Sequence, residues 1–236
     1  MNRKIMVIIP AFNEAESIVS VINDIPKELV YEIVLVNNGS TDSTERKARD
    51  AGATVLSEVR RGYGFACLRG IDYAKNKPEF EKPYIIVFLD GDYSDYPQEM
   101  EYLVKPILED NFDLVIGSRK MGRAQKGAML PQAVFGNALA TKLIRWFYGG
   151  RFTDLGPFRA IKFDKLLELD MKDKTFGWTA EMQVKAVKMG LKYCEVPVSY
   201  RKRIGISKVT GSFTGTVKAG YKILWTICKH VFHHLD

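Results

Sequence analysis

Tyr84-Ile-Ile-Val-Phe-Leu89 runs straight into Asp90-Gly-Asp92, and the reading of this stretch decides the fold. A strand apolar on both sides is buried on both faces, as central strands of helix-covered parallel sheets are. On its N-terminal side three more β-branched runs precede it, at Ile5–Ile9, Glu32–Val36 and Thr54–Ser57, and Leu114–Gly117 follows. Helical stretches lie between them at about Ala15–Asp24, Ser43–Ala51, Phe65–Asn76 and Gln98–Glu109. Thr41-Asp42 caps the second, Gly52 ends it, and Pro97 opens a first helical turn. Strands separated by single helices make βαβ units, so the predicted class is α/β with a mostly parallel, Rossmann-like sheet flanked by helices.

Farther out the pattern loosens. A helix is predicted over Gln132–Tyr148, stopped by Gly149-Gly150, then a strand at Phe158–Phe163, a helix at Ala180–Met189 and a strand at Lys192–Val196. The last helix, Phe213–His234, carries Phe213, Val217, Tyr221, Leu224, Cys228, Val231 and Leu235 at three- and four-residue spacing. This divides the chain into a domain over 1–211 and a C-terminal amphipathic helix over 212–236.

The 236 residues, 46% hydrophobic and 27% charged, exclude disorder as the main state. Cys67, Cys194 and Cys228 form no metal or disulfide pattern, which fits a reducing compartment. From Val196 to Leu235 there are seven Lys/Arg and no Asp or Glu, so the net charge of +7 belongs to the C-terminal end. An anionic partner is expected there. Nucleic acid is disfavoured, because no aromatic platform is interleaved with the basic residues. The longest strictly apolar run is far below the roughly 20 residues of a membrane span. With no signal peptide legible at Met1-Asn2-Arg3-Lys4, the expectation is a cytoplasmic protein, peripheral on the membrane if bound there.

In a parallel sheet, ligands bind beyond the carboxyl ends of the strands. Five polar clusters fall at such ends: Pro10–Glu14, Asn37–Asp42, Arg60–Gly64, Asp90–Asp92 and Ser118-Arg119. An Asp-x-Asp arises about once by chance in a chain this rich in aspartate, so the placement carries the argument. Two adjacent carboxylates at the end of a buried strand call for a compensating cation, and Mg²⁺ or Mn²⁺ held by Asp90 and Asp92 suits them. Asn38 is expected to face a base or ribose, and Arg60–Gly64 to bring cations and close backbone to a diphosphate.

Pro10-Ala-Phe-Asn-Glu14, Asn37-Asn-Gly-Ser-Thr-Asp42 and Leu89-Asp-Gly-Asp92 together resemble the inverting family-2 glycosyltransferases of GT-A fold. Within them the likeness is to the dolichyl- and polyprenyl-phosphate sugar synthases. It is carried by Thr153-Asp-Leu-Gly-Pro-Phe-Arg-Ala160, Trp178-Thr-Ala-Glu181 and Arg201-Lys-Arg-Ile-Gly-Ile-Ser-Lys208, and covers about residues 4–210. The chain departs from that pattern at Asn37-Asn38, where Asp-Asp is usual, at Ser94, where Gln is common, and at Pro157.

The resemblance implies transfer of a hexose from a UDP- or GDP-sugar to a polyprenyl phosphate. It implies a nucleotide-sugar site of Pro10, Phe12, Asn13, Glu14, Asn38, Arg61, Gly64, Asp90, Gly91 and Asp92. Arg119, Arg159, Arg201, Arg203 and Lys208 would bring the acceptor phosphate to the donor, with Asp154 and Glu181 orienting these cations. Glu181 becomes a general base if the acceptor is a saccharide or protein hydroxyl. A non-catalytic nucleotide-sugar-binding subunit is the remaining alternative. Arg119–Leu130, basic and free of acids, reads as a mobile flap. The last helix either packs its stripe on the domain or lies in an anionic membrane interface beside a lipid acceptor.

Overall fold

The computed structural model describes residues 3–205 and 213–232. Seven strands form one sheet: β1 (Ile5–Ala11), β2 (Glu32–Asn37), β3 (Thr54–Ser57), β4 (Ile85–Phe88), β5 (Leu114–Ser118), β6 (Arg159–Lys162) and β7 (Tyr193–Pro197), in the order β3-β2-β1-β4-β6-β5-β7. Eight helices connect them: α1 (Ile18–Asp24), α2 (Thr44–Asp50), α3 (Tyr63–Lys75), α4 (Met100–Glu109), α5 (Pro131–Tyr148), α6 (Phe163–Glu168), α7 (Trp178–Lys188) and α8 (Phe213–Phe232).

The period-2 alternation of each strand sorts side chains to two cores. Met6, Ile8, Val34, Ile86, Phe88 and Ile116 face α3, α5, α7 and α8. Ile5, Val7, Ile9, Leu35, Val87 and Val115 face α1, α2 and α4. The expected doubly covered sheet is therefore present, and its central strand is β4, buried throughout.

Helix starts differ from expectation where polar turns intervene. α1 begins at Ile18 rather than Ala15, because the Glu14 carbonyl accepts the amides of Ser17 and Ile18 and closes a turn first. Pro97 opens a short 3₁₀ turn, Pro97–Glu99, that leads into α4. Asp42 lies just before α2 and accepts the Thr44 amide at 3.0 Å.

β6 is the departure that matters for the site. It runs antiparallel between β4 and β5, with Val87 opposite Ala160 and Val115 opposite the same residue on the other side. A strand that runs the other way begins at the rim where its neighbours end. The segment preceding β6, from Asp154 to Phe158, is thereby brought to the same rim as Asp90 and Arg119. It also separates the ends of β4 and β5 by about 10 Å, two strand spacings.

Candidate active site

Four of the five rim clusters meet at one cavity of about 420 Å³. Pro10, Phe12 and Glu14 enter it from the end of β1, Asn38 from β2, Arg61 and Gly62 from the loop after β3, and Asp90–Asp92 from β4. Arg203 closes it from the segment after β7. Arg61 stacks its guanidinium 3.9 Å from the centre of the Phe12 ring. Asn38 is bonded on every side to backbone: its Nδ2 donates to the carbonyls of Glu58 at 3.1 Å and Arg60 at 2.7 Å, and its Oδ1 accepts the Gly62 amide at 2.8 Å. Asn37 likewise donates to Glu45 at 2.8 Å and accepts the Ser40 amide at 2.9 Å. A carboxylate has no N–H to give, so amides at 37 and 38 anchor the turns in a way that an Asp pair does not.

Asp90 Oδ1 is buried without a hydrogen-bond partner. Burial pushes the Asp90 carboxyl upward, opposed chiefly by the Arg203 charge and by the Tyr63 hydroxyl beside it. Asp92 is 3% exposed; its Oδ1 accepts the Ser94 amide at 2.9 Å and the Ser94 hydroxyl at 2.6 Å, and its Oδ2 pairs with Arg203. An orphaned carboxylate oxygen beside a second carboxylate fits a divalent ion. Two carboxylates would leave the rest of such an ion's shell to phosphate oxygens and water.

The fifth cluster opens on a second cavity, of about 290 Å³, which shares Tyr63, Asp90 and Phe176 with the first. Its walls are largely apolar, from Leu155, Pro157, Trp178, Ala219 and Ile223, and Arg119 stands in it. Asp154 holds that guanidinium through both carboxylate oxygens, as expected.

Other expected residues lie elsewhere. Arg159 is fully buried; its guanidinium donates to the carbonyls of Leu155, Gly156 and Thr179, and burial draws its pKa down to about 10. It shapes the turn before β6 and lines neither cavity. Arg201 lies over the rings of Tyr93 and Tyr96 and donates to the carbonyls of Tyr93 and Asp95, again outside both cavities. Glu181, 2% exposed, accepts the amides of Lys172 and Asp173 and pairs with Lys185 at 2.9 Å. Fixed this way beneath the Lys172–Gly177 loop, it is not presented as a base. Asn13 adopts a positive φ of 55° and accepts the Thr41 amide at 2.8 Å, pinning the neighbouring turn. Gly64 packs against protein and lines neither cavity: a Cβ there would stand 2.1 Å from the Asp173 carbonyl oxygen. Lys208 lies outside the described residues.

The Arg119–Leu130 segment is not loose along its length, because Gln125 donates to the Tyr200 carbonyl at 2.7 Å and Tyr200 to that of Arg123 at 3.0 Å. Of the two expected placements of the α8 stripe, packing on the domain is not the one its described members adopt. Ala219, Thr226 and Ile227 are buried, while Val217, Tyr221, Cys228 and Val231 of the stripe are exposed. Small and β-branched residues at 219, 223, 226 and 227 form a second apolar face that fits closely against α5 and α7, and it outcompetes the bulkier stripe.

Tyr63, inside the Arg60–Gly64 cluster, and Phe176 line both cavities, though the sequence singles out neither. Phe176 joins both cavities from a loop held by Glu181 and Asp173, a long-range arrangement with no local signal. Asp95 lies three residues past Asp92, outside the lining of both cavities. It is 1% exposed with both carboxylate oxygens unpartnered.

The chain matches the model of glycosyl transferase family 2 over residues 6–169. A dolichyl-phosphate hexose transferase of Haloferax volcanii is 31% identical over 223 residues, covering 92% of this chain and 91% of that protein. An undecaprenyl-phosphate mannosyltransferase of Micrococcus luteus is 27% identical over 234 residues, covering 90% of each. Glucosyl-3-phosphoglycerate synthase of Mycobacterium tuberculosis, solved with Mn²⁺, UDP and phosphoglyceric acid, shares the fold. Its TM-score is 0.77 at 22% identity, over 99% of this chain and 80% of that one.

Proposed function

This chain belongs to glycosyl transferase family 2, with the GT-A fold, and we propose that it moves a hexose from a UDP- or GDP-sugar to a polyprenyl phosphate with inversion. The observation that carries the reading is the junction of two cavities at Asp90, one entered by Asn38, Arg61, Asp92 and Arg203, the other by Arg119 among Leu155, Trp178 and Ile223. The first accepts a nucleoside diphosphate sugar, with Phe12 and Arg61 against the nucleoside. The second takes the phosphate of an amphiphile at Arg119 and its first apolar units against Leu155, Trp178 and Ile223.

Asp90 and Asp92 would hold Mg²⁺ or Mn²⁺, each found with UDP in a structure of like fold; bound there, the ion would supply positive charge to the departing diphosphate. A phosphomonoester is already ionised near neutral pH, its second pKa being about 6. Its oxygen forms the new bond to the anomeric carbon as the bond to the diphosphate oxygen breaks, and no proton has to be removed. Arg119 offsets the repulsion between the two anions, and Asp154 fixes its direction. The hydroxyl-acceptor alternative loses its base, since Glu181 is engaged with backbone amides and Lys185.

The membrane side of the reading rests on α5 and α8. Neither helix contains Asp or Glu, and together they expose Phe135, Trp146, Tyr221 and Trp225 beside Lys218 and Lys229. Such a face suits an anionic bilayer interface, where aromatic rings enter the headgroup region and lysines meet lipid phosphate. Among the described residues no helix is long and apolar enough to cross a membrane.

The test is transfer from radiolabelled UDP- and GDP-hexoses to polyprenyl phosphate, read as organic-extractable label. Gly220→Leu fills open space in the second cavity, since nothing lies within 4 Å of a Cβ at that position. It should depress lipid transfer while leaving nucleotide binding intact. Equal transfer by this variant, or transfer only to water-soluble acceptors, would defeat the proposal.

A further inference from the structure

The Asp92 carboxylate is already occupied by a cation of the protein's own. Its Oδ1 takes two hydrogen bonds from Ser94, and its Oδ2 pairs with the Arg203 guanidinium. Backbone pairing brings Arg203 there. The Arg201 amide donates to the Ser94 carbonyl and the Ile204 amide to the Asp92 carbonyl, each at 2.9 Å, so residues 201–204 run alongside 92–94 with Arg203 at Asp92. The guanidinium is 29% exposed and faces the larger cavity, so it has a way out.

We propose that Arg203 is a resident counter-ion which a divalent cation displaces from Asp92, releasing its guanidinium to grip phosphate in the same cavity. This rests on the reading that Asp90 and Asp92 hold the metal. The charge balance favours the exchange. Two carboxylates with one guanidinium keep a net negative charge, whereas a divalent ion neutralises both and then repels the arginine beside it. A diphosphate in the cavity supplies the displaced guanidinium with a bidentate partner. Metal and nucleotide are then coupled through Arg203 in addition to direct chelation: each lowers the cost of binding the other. A metal-free protein would hold Arg203 away from the diphosphate, so tight donor capture would follow the metal.

The experiment titrates Mn²⁺ alone into the full chain and reads free ion by electron paramagnetic resonance. Arg203→Gln should bind Mn²⁺ about tenfold more tightly than the unaltered protein, the scale of a removed, half-buried competing ion pair. Arg203→Lys should fall between. With UDP or GDP present the advantage of Arg203→Gln should vanish or reverse, because the native arginine then serves the diphosphate. Unchanged or weaker Mn²⁺ binding by Arg203→Gln overturns the exchange alone. Asp92→Asn separates the underlying reading: if it retains Mn²⁺ binding, the ion sits elsewhere and both ideas fail.

Discussion

Asp154 grips Arg119 with three hydrogen bonds, to the backbone amide at 2.8 Å, to Nε at 2.8 Å and to Nη2 at 2.6 Å. The carboxylate is itself fixed from behind, because Gln183 donates to the Asp154 carbonyl at 2.8 Å and Glu195 accepts the Asp154 amide at 3.0 Å. Removing one partner of such a buried pair strands the other charge, at a cost of about 3–5 kcal/mol. Asp154→Ala should therefore lower the unfolding midpoint clearly. Arg119→Lys keeps the charge but loses the fork, and should cut transfer to polyprenyl phosphate by about 10² at little cost to nucleotide affinity. Thermal denaturation and initial rates with acceptor varied against donor separate the two effects.

Asn38 gives a second prediction, because its substitution by the acid usual in related sequences should not be harmless here. Asn38→Asp replaces the amide that donates to two carbonyls by a group that repels them. Losing these bonds costs about 1–3 kcal/mol, and the loop that carries Arg61 and Gly62 shifts. Nucleotide binding should weaken several-fold by isothermal calorimetry. A variant that binds as tightly as the original would show that the loop does not depend on Asn38.

Gly64 is predicted to be intolerant for a reason unrelated to phosphate. The Cβ of Gly64→Ala would meet the Asp173 carbonyl, and backbone cannot swing away as a flexible side chain does. The Asp173–Gly177 loop must move, carrying Phe176 out of both cavities. A loss of about 1–3 kcal/mol in stability is expected, with reduced binding of nucleotide and acceptor together. Denaturant titration with binding measurements checks this; a loss confined to nucleotide would favour contact with the diphosphate.

Much of this architecture was written locally, and the exceptions share a cause. The apolar run before Asp90 announced a buried central strand, and the β-branched runs with their intervening helices announced its neighbours. Side chains at strand ends fall where the topology rule puts them, and Phe12, Asn38, Arg61 and Asp92 line one cavity. Arg159, Arg201 and Glu181 are expected at phosphate or acceptor because the family resemblance implies it. Each is instead engaged within the protein, Arg159 by the carbonyls of Leu155, Gly156 and Thr179, Glu181 by the 172 and 173 amides and Lys185, and Arg201 by carbonyls across the fold. Charge alone does not reveal such engagement. The direction of β6 is equally hidden, since a strand of four residues reads the same in either orientation. The stripe on α8 was visible, but periodicity marks an apolar face without saying what covers it.

Asp95 supplies a pH prediction with a definite sign. Burial, and then the nearby Asp90 charge, raise its carboxyl from an ordinary 3.8 to about 8; Asp154 adds to the rise, while Arg119 and Arg201 oppose it. The native protein thus keeps this proton through neutral pH, whereas the unfolded chain releases it near pH 4. Over that interval the native state binds more protons, so its stability falls as pH rises, by at most about 1.4 kcal/mol per pH unit. Below pH 4 both states are protonated and the favourable contribution is complete; above pH 8 both are ionised and the loss is complete. Asp95→Asn resembles the protonated acid but cannot ionise. Without metal, its unfolding midpoint should match that of the unaltered protein near pH 4, exceed it increasingly up to pH 8, and keep a constant lead beyond. Differential scanning fluorimetry across pH 4–9 measures the divergence. Parallel curves would mean that Asp95 ionises at its ordinary pH, with a cation or water meeting its buried oxygens.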